Sequence, residues 1–204
     1  MRKVETRERI IKKAIDLFYQ KGFAKASIRD LVKALKLTNA AVYNHFKSKD
    51  HLLYVIIDRM QSLYFERVNP ISEQYDNPLD KLKNIIRQHT SLAIENKKGL
   101  KVFFDDMGQL SPKFRREIIT QERNMYKLLK TQLMELQKKG LLRPVNIPLA
   151  TFCCFGMLNW SHRWYKKNRG LTVEEVGSGI VDIFLYGILN KEKSANMQNS
   201  NKKK

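Results

Sequence analysis

Apolar positions recur at helical spacing along almost the whole chain. Ile10, Ile11, Ala14, Ile15, Leu17 and Phe18 share one face of a helix predicted from about Val4 to Lys21, and Gly22 is the residue expected just past its end. A second apolar set, Ile28, Leu31, Val32 and Leu35, follows Ser27, a natural N-cap, with Asp30 three residues on to answer the free N–H groups of the first turn. Leu35-Lys36-Leu37 then reads as a turn, and Thr38 caps a helix running to about Phe46. Ser48 opens a longer helix, carrying Leu52, Leu53, Ile56, Ile57, Met60 and Leu63 to about Val68, with Pro70 beyond.

The remainder keeps the same period. Asn77-Pro78-Leu79-Asp80 is a start signal for a helix with Leu82, Ile85, Ile86, His89, Leu92 and Ala93 on one stripe. Lys97-Lys98-Gly99 breaks the pattern, and Leu100–Leu110 reads as a short helix. Ser111-Pro112 opens the longest one, to about Lys139, ended by Gly140. Asn146-Ile147-Pro148 starts a mostly apolar helix to about Lys167. Thr172 and Glu175 box the start of the last, which carries Val176, Ile180, Val181, Phe184, Leu185, Ile188 and Leu189. Gly177, Gly179 and Gly187 weaken that helix and fit places where another helix comes close. With no convincing strand, the pattern predicts an all-α fold.

The pair 27–35 and 38–46 has helix-turn-helix spacing, in which the second helix lies in the DNA major groove. Ala34 is small enough for close approach, and Leu37 and Val42 can lock the two helices. Asn39, Tyr43, Asn44 and His45 offer donors and acceptors beside small Ala40 and Ala41. Ser27, Thr38, Tyr43 and Lys49 are candidates for phosphate. Lys47 is a further cation for the backbone. An ordinary helical hairpin with a solvated polar face has the same spacing.

Further residues extend the pattern: Ile10-Ile11-Lys12-Lys13-Ala14, Leu17–Phe23, Ser27–Leu31, Thr38, Val42–Phe46, Ser48-Lys49-Asp50 and Leu52-Leu53. Over this first quarter the chain resembles the TetR family of transcriptional regulators. Many members carry Gly where Ala40 stands and Tyr where Asn44 stands, so the operator sequence does not carry over. The resemblance implies two functional segments, a three-helix DNA-binding head over residues 1–48 and a ligand-binding and dimerisation body over 49–190; the polar, basic stretch 191–204 reads from its composition as a disordered tail. Two apolar helices at the end of the body suit a four-helix interface between two copies, which places two heads on one two-fold axis, as a palindromic operator requires. A monomer core is the plainer explanation of the same helices.

A second set, Pro148-Leu149-Ala150, Gly156–Trp160, Arg163-Trp164-Tyr165, Gly170-Leu171-Thr172, Glu174-Glu175-Val176 and Gly187, is similar to the TetR branch that controls fatty-acid, sterol or aromatic-acid degradation. That branch responds to acyl-CoA thioesters. Phe103, Phe104, Met107, Trp160 and Trp164 could then wrap an acyl chain, and Arg163, Lys166, Lys167 and Arg169 hold phosphates. The same cations also suit a solvated helix end. A repressor of an efflux or other operon with a different hydrophobic effector is the competing reading; a pocket for cationic amphiphiles would need buried acids, and the acids of the body fall mainly on polar faces.

Charge supports a polyanion partner for the head. The chain carries +19, and residues 1–50 hold 13 Lys/Arg against 5 Asp/Glu. A non-specific architectural DNA binder would use that charge but would not need so large a body. No run of about 18 uncharged apolar residues exists, so no membrane span is expected. The N-terminal stretch lacks an apolar signal core, which points to the cytoplasm. Adjacent Cys153 and Cys154 read as small buried apolar residues. His89 reads as a hydrogen-bonded core histidine, with ligand contact as the alternative. Nothing resembles a phosphate loop, a zinc-protease motif or a catalytic triad, and Asp105 and Asp106 point about 100° apart on a helix. The chain is therefore read as a regulator without an enzyme activity or a cofactor, whose effector is an acyl-CoA.

Overall fold

In the computed structural model, which describes residues 2–188, ten α-helices and two 3₁₀ turns carry the chain, and no sheet is present among those residues. The helices are α1 (Arg2–Lys21), α2 (Ile28–Leu35), α3 (Asn39–Tyr43), α4 (Lys49–Val68), α5 (Ile71–Gln74), α6 (Pro78–Glu95), α7 (Lys97–Asp106), α8 (Pro112–Lys138), α9 (Ile147–Trp164) and α10 (Val173–Ile188). The tail expected over 191–204 lies outside the described residues. None of the described helices is long and apolar enough to cross a membrane.

Packing divides the chain into two units. The first runs to Leu63 and is joined by Asn96–Glu122. Its core gathers Ile10, Ala14 and Phe18 of α1, Leu31 of α2, Val42 of α3, Phe46, and Leu52, Leu53, Ile56 and Ile57 of α4. Val102, Phe103, Leu110 and Ile118 complete it from the later segment. The second unit is Tyr64–Glu95 with Arg123 onward. There α6 packs on α10 and α9, burying Leu82, Ile85, Ile86, Leu158, Val181, Phe184 and Leu185. Gly177 lets α10 approach α6 closely: a Cβ there would lie 3.4 Å from the Cα of Arg87.

Local signals placed most helix starts. Ser27 and Asp30 form the reciprocal box, Thr38 Oγ1 accepts from the Ala41 N–H, Asn146 caps α9, and Thr172 and Glu175 box the start of α10. Four boundaries differ from the sequence pattern. Helix α3 stops at Tyr43, because the Phe46 ring has to enter the core, and the N–H groups of His45 and Phe46 turn back to the Val42 carbonyl. Helix α7 starts at Lys97, and Gly99 lies inside it rather than breaking it. A Cβ on Gly99 would meet Met60 Sδ at 2.5 Å, so the glycine marks close packing. Helix α9 ends at Trp164, where Tyr165 turns extended and its hydroxyl donates to the Leu171 carbonyl. The one-turn α5 after Pro70 has no periodic signature at all.

Candidate DNA-reading site and the polar interior of the second unit

The reading surface begins with two caps. The Ser27 N–H and hydroxyl both donate to Asp30, whose backbone N–H returns to Ser27 Oγ at 3.1 Å. These bonds from Ser27, with Lys21 at 3.2 Å, hold the Asp30 carboxyl below the usual carboxylate range. At the other end of α2 the Lys36 N–H reaches the Lys33 carbonyl and the Leu37 N–H the Val32 carbonyl, a Schellman closure. That closure puts Lys36 in the left-handed region at φ 54°, the one described non-glycine residue with positive φ. The turn fixes the angle at which α3 leaves.

Val42 is fully buried and anchors α3 from beneath. Thr38, Asn39, Ala40, Tyr43 and Asn44 are exposed above it, and His45 is half-buried. The structure thus brings these six together on one short element, with Ser27 exposed at the start of α2. Ala34 is exposed rather than packed, so close approach of α2 and α3 does not depend on it. Lys49 is less available than its sequence position implies. Its Nζ lies 4.1 Å from the centre of the Phe23 ring and 3.4 Å from the Ala24 carbonyl, and partial burial lowers its pKa.

Two contacts that the sequence did not foretell brace this surface. Asp106, 5 % exposed, accepts from the Phe23 N–H through both oxygens at 3.3 Å and from Gln109 at 2.8 Å. Burial raises its carboxyl pKa, opposed by the Phe23 bond. Asp106 is thus an acid off the polar face, with a structural bond to explain it. His51, one turn into α4, accepts the Lys47 N–H at Nδ1 and stacks on Phe114, itself stacked on Tyr54 at 4.3 Å. Partial burial, then Lys47 and Arg7, lower the His51 pKa.

The residues proposed from sequence for an effector fall in different units. Phe103 is buried in the core of the first unit and Met107 packs against that core. Trp160, Arg163, Trp164 and Lys167 are exposed in the second, with the Arg163 guanidinium 4.9 Å from the centre of the Trp160 ring. The interior of the second unit holds a polar cluster on α4, α6 and α9 instead. His89 Nε2 donates to Asn159 Oδ1 at 3.0 Å, and its ring lies edge-on to Tyr64 at 5.1 Å and to Phe155 at 5.8 Å. Burial pushes the His89 pKa down to about 4, partly offset by Asn159. His89 is therefore the hydrogen-bonded core histidine that its stripe predicted. Tyr64 has no signal in the sequence, because a tyrosine near the end of a long helix carries no local mark of burial. Cys154 is buried but Cys153 is exposed: neighbours on a helix point about 100° apart, and Cys153 falls on the outer side of α9 with Phe152. Among the described residues no three His, Cys, Asp or Glu side chains gather as a metal site.

An apolar surface remains on the last two helices. Leu149, Phe152 and Trp160 of α9 are exposed, as are Ile183 and Tyr186 of α10, at 70 % and 80 %. Gly156 and Gly179, Gly187 interleave with them, and a Cβ on any of the three would meet nothing within 4 Å of its own chain. These glycines have open space beside them, unlike Gly177.

Comparison with known proteins gives two family matches. The model described as "Bacterial regulatory proteins, tetR family" matches residues 10–55, and "Tetracyclin repressor-like, C-terminal domain" matches residues 75–188. The HTH-type transcriptional repressor KstR2 of Mycolicibacterium smegmatis is 27% identical over 187 residues, covering 89% of this chain and 90% of that protein. The structure of PfmR, a TetR-family regulator from Thermus thermophilus, superposes with a TM-score of 0.80 at 29% identity, covering 87% of this chain and 97% of PfmR. AibR, solved in complex with isovaleryl coenzyme A and operator DNA, shares the fold with a TM-score of 0.79 at 24% identity, over 87% of this chain and 97% of its own.

Proposed function

Because the chain belongs to the TetR family of bacterial transcriptional regulators, we propose that it is a homodimeric repressor that binds an inverted-repeat operator and is released by an acyl-CoA thioester. The observation that carries the DNA half is the row Thr38, Asn39, Ala40, Tyr43 and Asn44, exposed on α3 above a buried Val42. Asn39, Tyr43, Asn44 and His45 read base edges, Ser27 and Thr38 meet phosphates, and Lys49 exchanges its contacts with Phe23 and Ala24 for a phosphate when DNA binds. In this reading residues 1–48 act as the head and 49–190 sense the effector and pair the chains.

A second copy of the chain covers the exposed face of α9 and α10. Leu149, Phe152, Trp160, Ile183 and Tyr186 supply the apolar area, and Gly156, Gly179 and Gly187 supply the space that a crossing helix needs. Replacing Gly179 or Gly187 by Leu should therefore shift the protein from dimer to monomer in sedimentation. A wild-type protein that sediments as a monomer at micromolar concentration contradicts the arrangement.

The near full-length likeness to KstR2 supports a repressor, and support for the acyl-CoA effector comes from the isovaleryl coenzyme A in the AibR complex. In the second unit the exposed Trp164 offers apolar surface for the chain, and Arg163 and Lys167 offer cations for the phosphates. No chemistry is required. The dimer presents its two α3 helices about 34–36 Å apart to meet successive major grooves. An effector that binds the released conformation better shifts that balance; moving it from 1:99 to 99:1 takes about 5.5 kcal/mol of differential affinity. Roughly seven methylenes buried only in the released state, at about 0.8 kcal/mol each, reach that figure. The test is operator binding by fluorescence anisotropy with palmitoyl-CoA, free CoA and palmitate side by side. Release by palmitoyl-CoA alone is expected. Release by none of the three, or equally by palmitate, rejects the thioester and favours the competing reading, a TetR-type repressor with another hydrophobic effector.

A further inference from the structure

Tyr64 and His89 present two complementary polar atoms that the protein leaves unanswered. The Tyr64 hydroxyl and His89 Nδ1 are both buried without a hydrogen-bond partner among the described residues. Asn159 Oδ1 accepts from His89 Nε2, which fixes the tautomer and makes Nδ1 an acceptor. The Tyr64 O–H is a donor. Their rings meet edge-on with centroids 5.1 Å apart, and the apolar rings of Phe65 and Phe155 lie edge-on beside Tyr64 and His89 respectively. Each such atom left unmet costs about 1–3 kcal/mol. Tyr64 could be replaced by phenylalanine at no such cost.

We infer that Tyr64 and His89 form a two-point hydrogen-bonding site for the hydroxyl group of an apolar effector. The chemistry is selective. The bound group has to accept from tyrosine and donate to histidine through one atom. A carbonyl or ether oxygen meets Tyr64 and leaves Nδ1 unanswered. A carboxylate has the same failing and brings a charge into an interior that already holds His89 neutral. An alcohol or phenol does both with its single O–H. An ordered water shares this donor–acceptor chemistry, and the fragment comparison below separates it from a ligand hydroxyl. A ligand hydroxyl is satisfied by two hydrogen bonds, and the carbon that bears it suits the surrounding rings. The inference rests on the effector-responsive reading above and narrows it: the apolar part of the effector is hydroxylated.

The site is tested on the full-length protein by fragment binding, with thermal shift and histidine side-chain ¹⁵N NMR as readouts. Phenol and cyclohexanol are compared with toluene and methylcyclohexane, their nearest shapes without a hydroxyl. The alcohols should raise the melting temperature and move the His89 Nδ1 resonance, while the hydrocarbons leave Nδ1 in place. Tyr64→Phe should weaken alcohol binding about tenfold and leave hydrocarbon binding unchanged. Equal alcohol affinity in wild type and Tyr64→Phe overturns the site. So does a Nδ1 resonance that no alcohol moves, the result expected of an ordered water only. Because Nδ1 is read in the wild type, the outcome does not depend on the variant folding. If alcohols register at His89 but palmitoyl-CoA leaves DNA bound, the thioester reading falls and this site stands. If palmitoyl-CoA releases DNA and the alcohols do not register, this site falls alone.

Discussion

Replacing His89 by Gln should remove a specific part of the acid sensitivity of the fold. Gln keeps an N–H that can serve Asn159 and cannot titrate. In the wild type the His89 pKa is pushed from 6.5 down to about 4, chiefly by burial. The folded state thus keeps a neutral ring while the unfolded chain takes up a proton below pH 6.5. Its contribution is intact above pH 6.5, declines as the pH falls towards 4, and is constant below that. From these two pKa values the wild type loses about 1.4 kcal/mol by pH 5.5 and about 2.6 kcal/mol by pH 4.5 that the variant does not lose. His51, shifted in the same direction, and Asp106 and Glu122, shifted upward, titrate in both proteins and cancel in the difference. Urea denaturation followed by circular dichroism, at one protomer concentration between pH 7.5 and 4.5, gives the two stability curves. The curves should separate by a factor approaching 100 in equilibrium constant. Parallel curves would refute a neutral, desolvated His89 and with it the donor–acceptor pairing drawn from its tautomer.

Three further outcomes follow from the reading surface. Lys36→Gly relieves the left-handed backbone at φ 54° and should stabilise the fold by about 0.5–1 kcal/mol in the same assay, after the cost of a freer unfolded chain. Ser27→Ala removes one side of the box with Asp30 and should cost about 1 kcal/mol, checked by thermal or urea melts. Lys49→Ala should weaken binding to all sequences alike and reduce the salt slope by about one, whereas Asn44→Ala should change which bases are tolerated; indistinguishable profiles in a randomised-site selection would refute this division of roles.

Much of the fold was legible because its signals are local. Ser27 with Asp30, Asn146 with Leu149 and Thr172 with Glu175 act across three residues, and apolar spacing reports one helix at a time. The α3 surface was legible for the same reason: Val42 under Thr38, Asn39, Tyr43 and Asn44 is a pattern within one turn and a half. What was not legible depends on partners far along the chain. Asp105 and Asp106 read only as an acidic pair pointing about 100° apart, yet Asp106 is buried and accepts from Phe23, 83 residues away. Gly99 looked like a helix breaker, yet Met60 explains it. Lys49 looked free for phosphate, yet Phe23 and Ala24 hold it. Trp160 looked like a slot residue because an aromatic on an apolar helix gives no hint of which face lies outward.

The bond from Asp106 to Phe23 also bears on how the chain is made. Val102, Phe103, Leu110 and Ile118 belong to the same core as α1–α3, so the N-terminal helices lack part of their apolar cover when they leave the ribosome. Between Leu63 and Glu122 synthesis takes roughly 3–12 s at about 5–20 residues per second. During that interval the core of α1–α4 lacks the side chains of Val102, Phe103, Leu110 and Ile118. The segment that later closes over that core also brings the carboxylate that fixes the Gly22–Phe23 turn. A nascent or truncated chain therefore carries an incompletely covered N-terminal core until the stretch through α7 and the start of α8 has been added.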